Sequence, residues 1–210
     1  MKHFLIQNQE QKSRFIFLLS NFALFLLWLL FAVRHLNSYF RNPQIYIIIF
    51  IISELIVAFL FLTRKKEISI STNTFDQLMS ISGTFLPLLF IPGGKIYFYN
   101  LGIILMTVGV VFQTISALSL NRSLGIIPAD RGIKTNGAYK IIRHPMYFCY
   151  LLTYTGYIVV SFSLFNLYLY IFTILVIFIR IKTEEDFLKK IPAYSGYFKK
   201  VKNKLIPFIY

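Results

Sequence analysis

The sequence predicts an all-α integral membrane protein of about six transmembrane helices, and three observations carry that reading. Of 210 residues, 57% are hydrophobic and 14% are charged, against about 25% charged in an ordinary soluble domain. The charged residues fall in short blocks between long apolar runs. When six runs are threaded across a bilayer, all but three of the 22 Lys and Arg residues fall on one side, the exceptions being Arg34, Arg41 and Lys95. That bias marks a cytoplasmic face, so both termini are expected in the cytoplasm.

The same distribution decides what the net charge of +14 means. The basic residues flank apolar runs and do not track one polar face, so they read as an orientation signal and not as a nucleic-acid surface. The single cysteine, Cys149, excludes an intrachain disulfide framework. His3, His35 and His144 have no metal-ligand spacing, and no metal site is expected.

Taken in order, residues 1–14 form a polar, basic lead-in. The run 15–33 is too long for a signal-peptide core and lacks a small-residue cleavage site, and at roughly 1.5 Å per residue it is long enough to cross the hydrocarbon. Arg34, His35 and Arg41 are expected to lie in the first loop, with Pro43 before the second span at 45–62. Glu54 interrupts that span. An unpaired carboxylate at such depth is costly, so Glu54 is either a neutral acid bonded to another helix or a functional acid. A third span, 75–91, contains Gly83 and Pro87 and is expected to kink. The fourth, 97–120, carries Gly102 and Gly109, which allow another helix to approach closely.

A polar island follows at 121–147, NRSLGIIPADRGIKTNGAYKIIRHPMY. His144 precedes Pro145, which disfavours helical backbone at His144 and suits the first turn of a helix. The fifth helix is therefore expected to begin at Pro145, with Arg143 and His144 ahead of it and Tyr147 just inside. The runs 146–160 and 164–179 read as a tight hairpin of two spans. Beyond them Phe187, Ile191, Tyr194 and Phe198 recur at three- and four-residue intervals, the pattern of an interfacial helix on anionic lipid, with Pro192 and Gly196 expected to bend or break it. No soluble domain is visible. Residues 1–210 read as one membrane domain, with 1–120 a four-helix part and 121–210 the part that holds the polar chemistry.

Two clusters can do that chemistry. Arg143, His144 and Tyr147 form either a plain basic cap with an aromatic at the interface or one wall of a site. Arg180 and Glu184 are four residues apart and can face each other on a helix. They form either a local ion pair or, with Glu185, a pair of carboxylates and a guanidinium presented to a ligand.

Gly137-Ala138-Tyr139, Arg143-His144-Pro145 with Tyr147, Glu184-Glu185 with Leu188, and Tyr194 with Tyr197 resemble the C-terminal half of the isoprenylcysteine carboxyl methyltransferase family. That family belongs to a wider group of integral membrane methyltransferases that includes phospholipid N-methyltransferases. The likeness covers roughly residues 123–207. Ala138 stands where the family usually has proline, and Ile191-Pro192 where it usually has Phe-Gly. The resemblance implies a cytosol-facing pocket for S-adenosylmethionine, built from Gly137, Tyr139, Arg143, His144 and Tyr147 and closed by Glu184, Glu185, Tyr194 and Tyr197. It implies Arg180, Glu184 and Tyr147 as the catalytic groups, with Arg180 near a reacting carboxylate. The acceptor implied is a lipidic or prenylated acid that reaches the site sideways from the bilayer. Alternative readings are a phospholipid N-methyltransferase, a membrane sterol or enone reductase, and a non-enzymatic membrane protein. The sequence leaves the oligomeric state open.

Overall fold

The computed structural model describes the backbone of residues 2–206 and the side chains of residues 9–206. The expected calls at Lys2 and His3, and those on residues 207–210, lie outside the described side chains. Seven α-helices run α1 Lys2–Arg41, α2 Ile45–Thr63, α3 Thr74–Phe85, α4 Tyr99–Leu120, α5 Pro145–Val160, α6 Leu164–Leu188 and α7 Ser195–Lys200. A two-stranded antiparallel ribbon joins β1 Ser69–Ile70 to β2 Ala129–Asp130, with Ser69 opposite Asp130.

Four helices, α1, α2, α4 and α6, are long and apolar enough to cross a membrane, and the chain is a multi-pass integral membrane protein. The third and fifth expected spans are carried by shorter helices. Pro87 ends α3 early, and the backbone tightens into a 3₁₀ turn at Leu86–Leu89. The Pro145 start of α5 is as expected, with proline at its first position, and it ends at Val160 after 16 residues.

The first loop is a correction. Arg34 and His35 lie inside α1, a single helix of 40 residues. No glycine or proline interrupts it before Pro43, and a basic residue does not by itself end a helix. His35 is 1% exposed, its ring 4.8 Å from that of Phe50. Arg34 Nη2 donates to the Phe90 carbonyl at 2.7 Å.

The connections gather at two ends. At one, Gly93 N donates to the Tyr46 hydroxyl (3.1 Å), Lys95 and Phe162 exchange backbone bonds of 2.8 Å, and Asn166 Nδ2 reaches the Ile91 carbonyl (2.8 Å). At the other, Lys65 N donates to the Arg122 carbonyl (2.8 Å) and Ser71 N to that of Pro128 (2.9 Å). The ribbon, the polar island and the C-terminal tail share this second end.

Close backbone approach sets the centre. A Cβ at Gly156 of α5 would stand 2.6 Å from the Gly102 carbonyl oxygen of α4 and 2.6 Å from Met106 Cγ. The two helices therefore touch through backbone, as small residues allow in a bilayer. Although α5 and α6 are joined by only Ser161, Phe162 and Ser163, α5 lies chiefly along α4, and α6 along α3. Buried Phe50, Phe90, Tyr154 and Tyr157 form the aromatic core. Outward-facing Phe15, Leu18, Leu30, Leu118 and Phe172 are exposed, as a lipid-facing surface requires.

The tail breaks at Pro192, as expected, and its apolar stripe is divided between elements. Phe187 still belongs to α6, Pro192 opens a 3₁₀ turn at Pro192–Tyr194, and α7 has only 6 residues. Pro192 removes a backbone donor and fixes φ, which breaks the periodic pattern into two pieces. Tyr194 is buried and faces the protein interior.

Candidate active site

At the ribbon end lies an open cavity of about 1230 Å³, solvent at its mouth included. Its walls come from nearly every part of the chain: Trp28 of α1, Glu54 of α2, Gly83 of α3, the island, the first turns of α5, the end of α6, and the tail at Tyr194–Phe198.

The best-defined polar contact is a three-sided knot. Arg143 Nε donates to Glu185 Oε1 at 2.6 Å, and His144 Nε2 lies 3.3 Å from the same oxygen. Arg143 and His144 stand just before α5 and Glu185 near the end of α6. Arg143 also ties down the tail: Nη1 donates to the carbonyls of Val201 (2.7 Å) and Lys202 (3.0 Å), and its guanidinium lies 5.1 Å from the Phe198 ring centre. The His144 backbone N donates to the Lys204 carbonyl (2.8 Å).

The next layer places Tyr147 over Glu184 and Arg180. The Tyr147 hydroxyl donates to Glu184 Oε2 at 2.9 Å, and the Arg180 guanidinium lies 5.3 Å from the Tyr147 ring centre. The expected Arg180–Glu184 ion pair does not form. Arg180 Nη2 donates instead to the Ile126 carbonyl (2.9 Å), and its buried Nε has no partner. The stem of Arg180 fills the space a side chain at position 83 would need, since a Cβ on Gly83 would lie 2.6 Å from Arg180 Cδ.

Tyr139 lines the cavity and its carbonyl accepts from the Tyr197 hydroxyl (3.0 Å). Tyr194 donates to Asp130 at 3.5 Å. Burial raises the phenol pKa of all three, and acidic neighbours push the same way, Asp130 and Glu184 at Tyr194 and Glu184 at Tyr139. They therefore stay neutral donors. Gly137 does not line the cavity. It takes φ +58°, and a Cβ there would run into Ser119, so it shapes the turn that presents Tyr139.

Four further contributors are not among the site residues the sequence indicates. Arg131 pairs with Glu67 at 3.0 Å across the ribbon, and its buried Nε is unpartnered. Gly125 leaves room for that guanidinium. Tyr150 and Tyr154 of α5 stack face to face in the inner wall, 5.9 Å apart and 10° from parallel. Their i, i+4 spacing with Met146 is legible, but in an apolar run it reads as core. Among the described residues, no cluster of three His, Cys, Asp or Glu side chains is placed to hold a metal.

A buried cavity walled by both charge signs and by neutral tyrosines, inside a helical membrane protein, suits an enzyme that joins a polar cofactor to a bilayer-borne acceptor. The comparisons define its class. The phospholipid methyltransferase family matches residues 97–195, from the start of α4 to the first residue of α7, slightly less than half of the chain. No curated protein matches the chain. The protein is a membrane-associated S-adenosylmethionine-dependent methyltransferase whose acceptor is a membrane-associated lipid, which sets aside the reductase and non-enzymatic readings.

The residues present suit that cofactor. Arg131 offers an unpartnered guanidinium nitrogen for a carboxylate. Glu184 offers carboxylate oxygen to an amino group or ribose hydroxyls. Tyr139, Tyr197 and Phe198 offer aromatic faces for a purine.

One prediction follows from the knot. In Glu185→Ala, Arg143 and His144 would lose their shared acceptor in a place where the Glu185 side chain is 3% exposed. Removing one partner of a buried ion pair costs about 3–5 kcal/mol. A lower thermal midpoint, together with proteolytic release of the tail near Lys202, is the expected result in detergent. An unchanged midpoint would show the knot to be incidental.

Proposed function

We propose that the acceptor is the amine of a phospholipid headgroup and that the product is an N-methylated lipid. The observation that carries this reading is the presence, in one cavity, of a buried guanidinium with a free nitrogen and a wall of acid and aromatic groups. Arg180 Nε is the first; Tyr147 and Tyr150, with the acids that line the same cavity, form the second. A zwitterionic headgroup needs both: a donor for its phosphate and acidic or π-rich surface for its ammonium. The phospholipid methyltransferase match over residues 97–195 points the same way.

When bound, S-adenosylmethionine supplies a methyl group activated by a sulfonium. This chain's own part is to hold and align. In this reading Arg131, Tyr139, Glu184, Tyr194 and Tyr197 hold the cofactor, with His144, Glu185 and Arg143 bracing the wall behind it. Arg180 fixes the phosphate, and the neutral tyrosines exclude water. Alignment of two bound reactants supplies much of the rate in such a transfer. The second reading is O-methylation of an isoprenylcysteine-like carboxylic acid, favoured by the planar fork of Arg180, which suits a carboxylate as well as a phosphate.

The two readings separate on product chemistry. Purified protein, given methyl-labelled cofactor and bilayers containing phosphatidylethanolamine and a prenylated cysteine acid, is expected to label the amine lipid with a base-stable methyl. A base-labile label on the acid would replace this reading with the second.

The fork itself is testable. Arg180→Lys keeps a positive charge but loses the planar geometry, and is expected to lower transfer by about 10–100-fold, the equivalent of one charged hydrogen bond, with cofactor binding retained. Normal transfer with a lowered thermal midpoint would instead assign Arg180 to bracing Ile126 and Tyr147.

The same reading places six passes across the bilayer, with α5 and α6 as the closing hairpin, the cavity mouth on the cytosolic side and both termini there. It is supported by the gathering of the island, ribbon and tail at one end, with Arg34, Arg41 and Lys95 toward the other. Exposed Lys189, Lys190, Lys199 and Lys200 then meet anionic headgroups. In a Cys149→Ser background, single cysteines at Glu10 and Asn203 are expected to resist an impermeant thiol reagent on intact cells, while Lys95→Cys is labelled. Labelling at Asn203→Cys from outside would reverse the orientation.

A further inference from the structure

Glu54 is the one acid of the membrane-embedded core that the cofactor assignment does not use. It sits at the middle of α2, 4% exposed, and lines the cavity. Its Oε2 is buried with no hydrogen-bond partner. None of the described cations lies within ion-pair distance of it. The neighbouring polar residue on the helix, Ser53, is fully engaged elsewhere, donating to Gln113 Oε1 at 2.7 Å and accepting from Gln113 Nε2 through its carbonyl at 3.1 Å. Helix association through α4 is thus served by Ser53, and the Glu54 carboxyl bonds to the Trp28 side chain of α1, which leaves Oε2 without a partner. An unpaired carboxylate at membrane depth is costly and is retained where a ligand compensates it.

The surroundings indicate which ligand. The Trp28 indole stands against the carboxyl group. Tyr150 and Tyr154, stacked on each other, lie within electrostatic reach of both Glu54 and Arg180. Glu54 and the electron-rich rings of Trp28, Tyr150 and Tyr154 line the same cavity, a combination suited to an organic cation, and the Arg180 guanidinium in that cavity suits an anion. The groups assigned to the cofactor come from the island and tail, Arg131, Tyr139, Tyr194 and Tyr197, and from the end of α6, Glu184, whereas Glu54 comes from the middle of α2.

We propose that Glu54 receives the ammonium group of the acceptor lipid and accepts its proton. The assignment rests on the amine reading given above. One N–H bond of the ammonium breaks, with its electron pair left on nitrogen, and an O–H bond forms at Glu54 Oε2. The nitrogen then carries the lone pair that a methyl acceptor requires. Glu54 is thereby the residue that selects an amine over a hydroxyl headgroup, and it lies outside the segment that matches the family.

The test separates binding from turnover. Calorimetry on the detergent-purified full chain would compare lysophosphatidylethanolamine with lysophosphatidylglycerol, and measure S-adenosylmethionine in parallel. The wild type is expected to prefer the amine lipid by about tenfold or more, the scale of one charged hydrogen bond. Glu54→Gln, nearly the same shape, is expected to abolish that preference, keep cofactor affinity and lose methyl transfer to phosphatidylethanolamine in bilayers. Glu54→Asp is expected to retain part of the preference, which guards against a folding defect in the first variant. No preference in the wild type, or an undiminished one in Glu54→Gln, overturns the proposal. An equal loss of cofactor affinity overturns it too, by assigning Glu54 to the sulfonium. A wild type that prefers the amine lipid yet methylates only the prenylated acid refutes the amine reaction and the proton transfer, while the ammonium site stands.

Discussion

The Glu185 carboxylate sits where three separate parts of the chain must meet. It fixes Arg143 and His144, which close the island, against the end of α6, and through Arg143 it fixes the tail. Such a cluster is stable only if every charge in it is answered, because a buried carboxylate left alone would cost several kcal/mol. Arg143 answers it with a 2.6 Å charge-assisted bond and gives its Nη1 to backbone carbonyls of the tail. Arg143, His144 and Glu185 line the cavity themselves, so this part of its wall is set by their electrostatics. Tyr147, one turn into α5, inherits its place from this arrangement and delivers its hydroxyl to Glu184.

Above the knot the design changes from satisfied to unsatisfied. Arg131, Arg180 and Glu54 each keep one buried polar atom without a partner. Orphaned buried groups are rare and costly, and here all three line the same cavity. Gly83 and Gly125 carry the matching steric signal: each gives up a side chain so that a guanidinium can lie flat against its helix or loop. The chain thus holds charged groups in place by packing and backbone contacts, leaving hydrogen-bonding capacity for a ligand.

Much of this was legible in the sequence, and the failures have physical causes. The Pro145 helix start, the kink at Pro87 and the close approach at Gly102 depend on local backbone chemistry, which a sequence states directly. The first loop was misread because basic residues were taken to end a span, whereas helix continuity depends on backbone breakers, and none precedes Pro43. The break in the tail was legible at Pro192, and it leaves residues that share a helical stripe on paper in different elements. Arg180 and Glu184 have the right spacing to pair, but spacing gives opportunity only. The Ile126 carbonyl and the Tyr147 hydroxyl, both distant in sequence, take those groups. Arg131 was missed for the same reason, since its partner Glu67 lies across a ribbon that no local pattern announces.

The family match stops short of α1, α2 and α3, yet Trp28, Glu54, Val57, Phe61 and Gly83 complete the cavity. This division has a chemical logic. A group that holds one invariant cofactor can be built from a compact C-terminal unit whose parts are locked together by the Arg143–Glu185 contact, with the ribbon tying it to the α2–α3 connection. The acceptor arrives through the bilayer and must be read by surfaces at membrane depth, where only transmembrane helices can place a side chain. In that medium a single carboxylate discriminates strongly, because its charge is neither screened nor solvated as it would be at the surface. The part of the cavity wall that lies outside the matched segment, with Trp28, Glu54 and Gly83, is thus where one methyltransferase of this architecture can differ from another in the lipid it accepts.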